Sequence, residues 1–401
     1  MHSSYLLPAF AALTAAAKPI VAQQSPVTVP FVKVTNFTGA AQLAETQRAR
    51  ISAFIDRAAG GDPPVNMPIL DEGMLYTATV GIGTPPNNYT LIFDTGSSNT
   101  WAGCGFAYIV TSSTVDTDTG IFVQYGGAFV DGEEYNDTVT LGSLVLQSQG
   151  VGAAQLCPGF QGYNGILGLG PTDLTLRTVG EYPTREIPTV VDTAFAEGLI
   201  PEHLIAISFE PTQTAPITNG EITFGGIDPT KYYPEITYAP PTTTSPSAQS
   251  WGFDQTITYN GQTIQFQAPG FLDSGTYNLF LSSDAFATYQ NLTGATLSDG
   301  GYLTITEEQY ENLADLVFTI GGTDFALTAN AQILPRSMNV DLGIDPSLCV
   351  LIALSTYSPS GTTGIDFVDG QVFMERFYTV YNSANSSVGF ANTPLTRAII
   401  N

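Results

Sequence analysis

The chain has 401 residues, enough for two or three domains with sizeable cores. Only 12% of residues are charged, and 40 Gly, 26 Pro, 23 Phe and 19 Tyr exclude a helical bundle or a disordered chain. Eleven Lys+Arg against 36 Asp+Glu leave a formal charge of −25, which repels phosphate backbones and anionic lipid and argues against nucleic acid or membrane as partners.

In chain order, residues 1–22 read as a signal peptide. Leu6 to Ala17 form an apolar run too short to span a bilayer, small residues follow it, and no Lys or Arg precedes it. Residues 23–62 read as a propeptide, polar and basic, with one helical stretch from Leu43 to Ala59. Charge separates this head from the rest. Residues 1–66 carry Lys18, Lys33, Arg48, Arg50 and Arg57 against Glu45, Asp56 and Asp62, while the other 335 residues carry six cations and 33 acids. A removable segment lying on an acidic body fits that split; a tail that is merely basic is the alternative.

From Gly73 onward short apolar or alternating runs dominate, among them Leu75–Val80, Tyr89–Phe93, Thr138–Leu146, Ile205–Phe209 and Glu221–Phe224, punctuated by Gly, Pro, Asn and Asp. Helical patterns are few: Val190–Glu197, Ser283–Asn291, Thr306–Ala314 and Met374–Tyr378. The Pro/Thr/Ser stretch 240–247 reads as a linker, giving an N-terminal β lobe over 63–240 and a C-terminal β lobe over 241–401. Five Asn-x-Ser/Thr sequons, at Asn36, Asn88, Asn136, Asn291 and Asn385, agree with secretion and are candidate glycosylation sites.

What is missing narrows the chemistry. Of two His, one lies in the expected signal peptide, and His203 sits in a short polar corner before an apolar strand, where a structural role is expected. No Gly-x-Ser-x-Gly elbow, phosphate-binding loop, dinucleotide fingerprint or metal-ligand spacing occurs, so neither a metal nor an organic cofactor is expected. Three Cys allow one bridge. Cys104 and Cys157 share one half of the chain and make the expected pair, two unbridged thiols being the alternative. Carboxylates are left to carry any catalysis.

Comparing the two halves exposes a repeat. Leu91-Ile92-Phe93-Asp94-Thr95-Gly96-Ser97 in the first is matched by Gly270-Phe271-Leu272-Asp273-Ser274-Gly275-Thr276 in the second, each an apolar strand ending in Asp, a hydroxyl residue and Gly. A later apolar-Gly element follows each, Gly165–Gly168 and Phe367–Gly370. An Asp on such a turn can accept from backbone N–H groups and a neighbouring hydroxyl. Two such turns face to face bring two carboxyls within hydrogen-bonding reach. They would then share one proton, one activating water while the other protonates a carbonyl.

These residues resemble the pepsin-like aspartic endopeptidases, nearest to secreted fungal acid proteases of the polyporopepsin type. The resemblance runs from about Gly73 to the C-terminus. Its markers are Phe93–Trp101, Asn164–Gly170, Asn219–Asp228, Asp273–Thr276 and Arg376–Tyr381. It implies a mostly β, bilobal fold with the cleft between two homologous lobes, and Asp94 and Asp273 as the catalytic dyad. It also implies backbone donors at Gly96 and Gly275, and hydroxyl neighbours at Ser97 and Thr276. Tyr125 and Gly126 match the hairpin flap that closes over substrate, with the Tyr125 hydroxyl bonded to Trp101. Tyr163 and Ile166 match an apolar pocket for the residue before the scissile bond. Protein and peptide substrates, a monomeric secreted enzyme and inhibition by its own propeptide follow from the same resemblance.

Several departures are visible. Ser274 stands where Thr is commoner, Phe129 and Val130 where small polar flap residues are usual, and Asp369 where an apolar residue or amide is usual. Lysine often neutralises the dyad in such zymogens, but Lys33 lies far upstream and Arg57 nearer the processing point, so the sequence leaves that role unassigned. A peptide-binding protein without catalysis and an acid glycosidase are the competing functions.

Overall fold

The computed structural model describes residues 25–36, 39–58, 73–126, 128–160, 162–180 and 182–401. The expected signal peptide and the processing region around 60–66 lie outside them. The molecule is mostly β. A 13-stranded sheet runs in the order Thr237–Ala239, Ser387–Asn392, Phe377–Asn382, Leu204–Phe209, Ile217–Phe224, Val27–Asn36, Gly73–Ile82, Asn87–Asp94, Gly165–Gly168, Trp101–Ala102, Leu144–Leu156, Ala128–Leu141 and Val115–Tyr125. A seven-stranded sheet carries the second half in the order Thr323–Leu327, Leu316–Ile320, Gly252–Tyr259, Gln262–Leu272, Phe367–Asp369, Leu279–Leu281 and Ala353–Ser355.

The repeat read from sequence becomes a repeat in topology. Asn87–Asp94 pairs in parallel with Gly165–Gly168, and Gln262–Leu272 pairs in parallel with Phe367–Asp369. A further strand then adds antiparallel to each inner partner: Trp101–Ala102 on the first and Leu279–Leu281 on the second. Each Asp-bearing strand is thus fully buried at its C-terminal end, which accounts for continuous apolar runs there in place of alternation.

Three readings of the sequence need correction. First, the N-terminal segment contributes a strand as well as a helix. Val27–Asn36 inserts between Ile217–Phe224 and Gly73–Ile82, and Phe31, wholly buried, packs on Phe93, Tyr76 and Phe209. Second, the helical pattern at Met374–Tyr378 divides: Gln371–Met374 is a short helix, and Phe377–Asn382 is a strand paired on both edges. Its Phe-Tyr-Thr-Val-Tyr run is β-branched and aromatic, and the sheet offers it two partners. Third, the stretch 240–247 is no free tether. Thr242 and Ser247 are buried, and the Ser247 hydroxyl donates to the Gly364 carbonyl at 2.5 Å. The helix expected from Leu43 forms from Ala40 to Ala58, and Thr138–Leu146 turns at Gly142, whose φ is +58°.

Among the described residues, no helix is long and apolar enough to cross a membrane. Cys104 and Cys157 are joined by a disulfide, and Cys349 is a buried free thiol.

Candidate active site

Asp94 and Asp273 end their strands on matching turns and face each other in the interior, 1% and 0% exposed. Each carboxylate is clasped by its own turn in the same way. Gly96 N donates to Asp94 Oδ1 at 2.9 Å and Ser97 Oγ to Oδ2 at 2.5 Å. Gly275 N donates to Asp273 Oδ1 at 2.9 Å and Thr276 Oγ1 to Oδ2 at 2.6 Å. The two turns are also locked to one another. Thr95 N donates to Ser274 Oγ at 3.0 Å, Ser274 N donates to Thr95 Oγ1 at 2.9 Å, and the Ser274 hydroxyl donates to the Phe93 carbonyl at 3.1 Å. Ser274 therefore keeps the hydroxyl this cross-link uses.

A guanidinium spans the pair. Arg50, from the N-terminal helix, donates from Nη2 to Asp94 Oδ1 at 2.6 Å and from Nε to Asp273 Oδ2 at 2.7 Å, with Nη2 also 3.0 Å from Asp273 Oδ1. Burial alone would discharge Arg50, but the charges of Asp273 and Asp94 outweigh it and raise its pKa. The two carboxyls separate. Burial pushes Asp94 up despite Arg50, with the like charge of Asp273 adding to the rise. Asp273 also feels burial, yet the charge and hydrogen bonds of Arg50, with the donors Thr276 and Gly275, bring it below the usual carboxylate value. Neither cation singled out from the sequence fills this position. Arg57 donates to the carbonyls of Leu174 and Gln124 at 3.4 and 3.3 Å, and Lys33 lies away from the dyad, buried against Glu375.

A hairpin of Val115–Tyr125 and Ala128–Leu141 closes over this centre, with Tyr125 opposite Ala128. Gly126 at its tip has φ +61°, a left-handed turn that suits glycine. Trp101 Nε1 donates to the Tyr125 hydroxyl at 2.9 Å. Tyr125, Trp101, Tyr163 and Ile166 belong to one buried apolar cluster with Val123, Val130 and Phe160. Pairing places Phe129 opposite Gln124, on the other face from Tyr125, where its ring lies 5.6 Å from that of the exposed Phe122. Phe129 therefore does not crowd the cleft side of the flap.

Residues 75–393 match the family model described as eukaryotic aspartyl protease. The chain belongs to that family. It is 46% identical over 346 residues to polyporopepsin of Irpex lacteus, covering 86% of this chain and all of that one. It is 28% identical to pepsin A of Suncus murinus, covering 79% of this chain and 81% of that one. The crystal structure of the Irpex lacteus aspartic proteinase superposes with a TM-score of 0.81 at 41% identity, covering 94% of this chain and all of that one. This aspartic endopeptidase therefore hydrolyses peptide bonds of proteins and peptides by aspartyl catalysis.

Two further groups of the endopeptidase have structural roles. Asp369 is fully buried beside the second turn, and its carbonyl accepts from Asp273 N at 3.1 Å. Among the described residues its side chain accepts only from Gln255 Nε2, at 3.2 Å, and burial holds its carboxyl well above the ordinary value. Burial thus favours the protonated form of this acid. His203 pairs with Asp192 at 2.7 Å and stacks on Phe195, far in sequence from either turn, in the structural role expected of it.

Proposed function

We propose that Asp94 and Asp273 are the catalytic dyad of a secreted acid endopeptidase, and that residues 23–62 form its inhibitory propeptide, with Arg50 as the plug. The observation that carries this reading is the pair of identically clasped carboxylates close enough for one guanidinium to bond both. With Arg50 gone, two carboxyls that close cannot both ionise, so they share a proton across an acid range. The ionised member takes a proton from water as it attacks the scissile carbonyl, and the protonated member donates to the carbonyl oxygen. Roles within the pair belong to the pair and not to either residue. Backbone donors at Gly96 and Gly275, with the hydroxyls of Ser97 and Thr276, hold both carboxyls in place before the substrate arrives.

The flap supplies closure. Tyr125, fixed by Trp101, seals bulk water from the dyad, while Tyr163 and Ile166 beneath it favour apolar residues around the scissile bond. The first 74 residues lie outside the family match, which supports a removable head. Asn88, Asn291 and Asn385 are exposed and Asn136 half-buried, consistent with glycosylation of a secreted monomer. Phe129 faces away from the cleft side of the flap, whereas Val130 packs in the same buried cluster as Tyr125.

The test is digestion of a denatured protein at pH 3–4 by secreted enzyme, with and without a statine-type inhibitor. The account expects inhibitor-sensitive cleavage at apolar residues and a mature N-terminus near residues 60–66. Binding without cleavage would refute it.

A further inference from the structure

The N-terminal helix reaches the second half of the chain through a different arginine. Arg48, two residues before Arg50, turns to the opposite side of the helix and meets the hairpin turn at 298–302 and the loop at 355–358. Its Nη2 donates to the Gly301 carbonyl at 3.2 Å, and its Cζ lies 4.6 Å from the centre of the Tyr357 ring. Among the described residues, no acidic side chain on the body bonds it.

The seat is built around that cation. Gly301 has φ +79°, and a Cβ there would stand 3.1 Å from Arg48 Nη1, so a side chain would strain the turn and crowd the guanidinium together. Tyr357 has φ +63°, a costly conformation for a large residue, which its N–H secures by donating to Ser355 Oγ at 3.0 Å. Tyr357 remains 69% exposed even with Arg48 against its ring. An aromatic face and a carbonyl oxygen together suit a guanidinium or ammonium and offer nothing to an anion.

We infer that the Tyr357 ring and the Gly301 carbonyl form a cation subsite on the cleft rim, filled by Arg48 until the N-terminal segment leaves and then open to a lysine or arginine of the substrate. This rests on the propeptide reading above. Because neither partner needs to be ionised, the subsite works at pH 3, where attraction to the body's carboxylates has faded.

The experiment scans Lys, Arg, Leu and Glu through the eight positions flanking the scissile bond of a quenched peptide, at pH 3 and pH 5. It uses the activated wild-type enzyme and its Tyr357→Leu and Tyr357→Phe variants. At one position away from the scissile bond, wild type should prefer Lys or Arg over Leu about fivefold in kcat/KM, mainly through KM, at both pH values. Tyr357→Phe should retain the preference and Tyr357→Leu lose it. Cleavage without any cation preference, or a preference that survives Tyr357→Leu or vanishes at pH 3, overturns the inference alone. Failure of every enzyme form to cleave any peptide overturns the proposed function and the inference with it.

Discussion

Replacing Arg50 with Met keeps the apolar stem and removes the group that spans the dyad. The wild-type guanidinium makes two buried ion pairs, at 2.6 and 2.7 Å, and a third contact at 3.0 Å. Removing one partner of a buried ion pair costs about 3–5 kcal/mol, and the dyad recovers part of that by taking up one proton, so the net weakening is about 2–4 kcal/mol. At about 1.36 kcal/mol per decade, opening becomes about 30-fold to a thousandfold more favourable. The pH dependence has a definite sign. Asp273 is held below its ordinary value while Arg50 is seated, so its contribution is present above about pH 4 and lost as pH falls through the lowered value. Asp94, raised by burial, opposes this only in part. Opening therefore takes up protons as pH falls below about 4, and wild-type processing should speed up across that fall. Arg50→Met should process faster at every pH and with a shallower slope. The assay follows loss of the N-terminal segment by gel and N-terminal sequencing between pH 3 and 7, at several dilutions to separate intramolecular cleavage. An unchanged rate and slope would refute the plug.

Lys33→Met, examined in the Asp94→Asn background so that no processing intervenes, should lower the stability of the full chain by about 3 kcal/mol in thermal or denaturant unfolding, because among the described residues Glu375 then keeps Tyr76 alone as a side-chain hydrogen-bond donor; unchanged stability would mean the pair is solvated. Asp369, raised by burial, favours the folded state fully below about pH 4 and loses that contribution as pH climbs toward its folded value, so Asp369→Asn should flatten the fall in melting temperature between pH 4 and 7. Parallel wild-type and variant curves would show that another group governs neutral-pH instability.

The facing carboxylate pair was legible because its signal is local and doubled: apolar strand, Asp, hydroxyl, Gly, twice. The cation that spans it was not, because the helix period could not choose it. Arg50 and Arg57 are seven residues apart and share a face, so only the axial placement of the helix decides which reaches the dyad. The N-terminal strand was hidden for a related reason. Its inward positions are Val29, Phe31 and Lys33, and a lysine at the third breaks the alternation that marks a strand. That lysine is tolerable only because Glu375, 342 residues on, waits inside. The Thr95–Ser274 cross-link was invisible for want of partners: each hydroxyl reads as turn chemistry until both turns are seen face to face. The Cys104–Cys157 bridge followed from their shared half, though spacing alone left it open.

The central claim is that two carboxyls act as one unit. The direct measurement is kcat/KM of activated enzyme at pH 4 for Asp94→Asn and Asp273→Asn, activated by an added protease, alongside unfolding curves. The account predicts that each single variant loses at least about a thousandfold of activity while unfolding like the wild type, and that the double variant is scarcely worse than either. Near wild-type turnover in either single variant, with its fold intact, would contradict it.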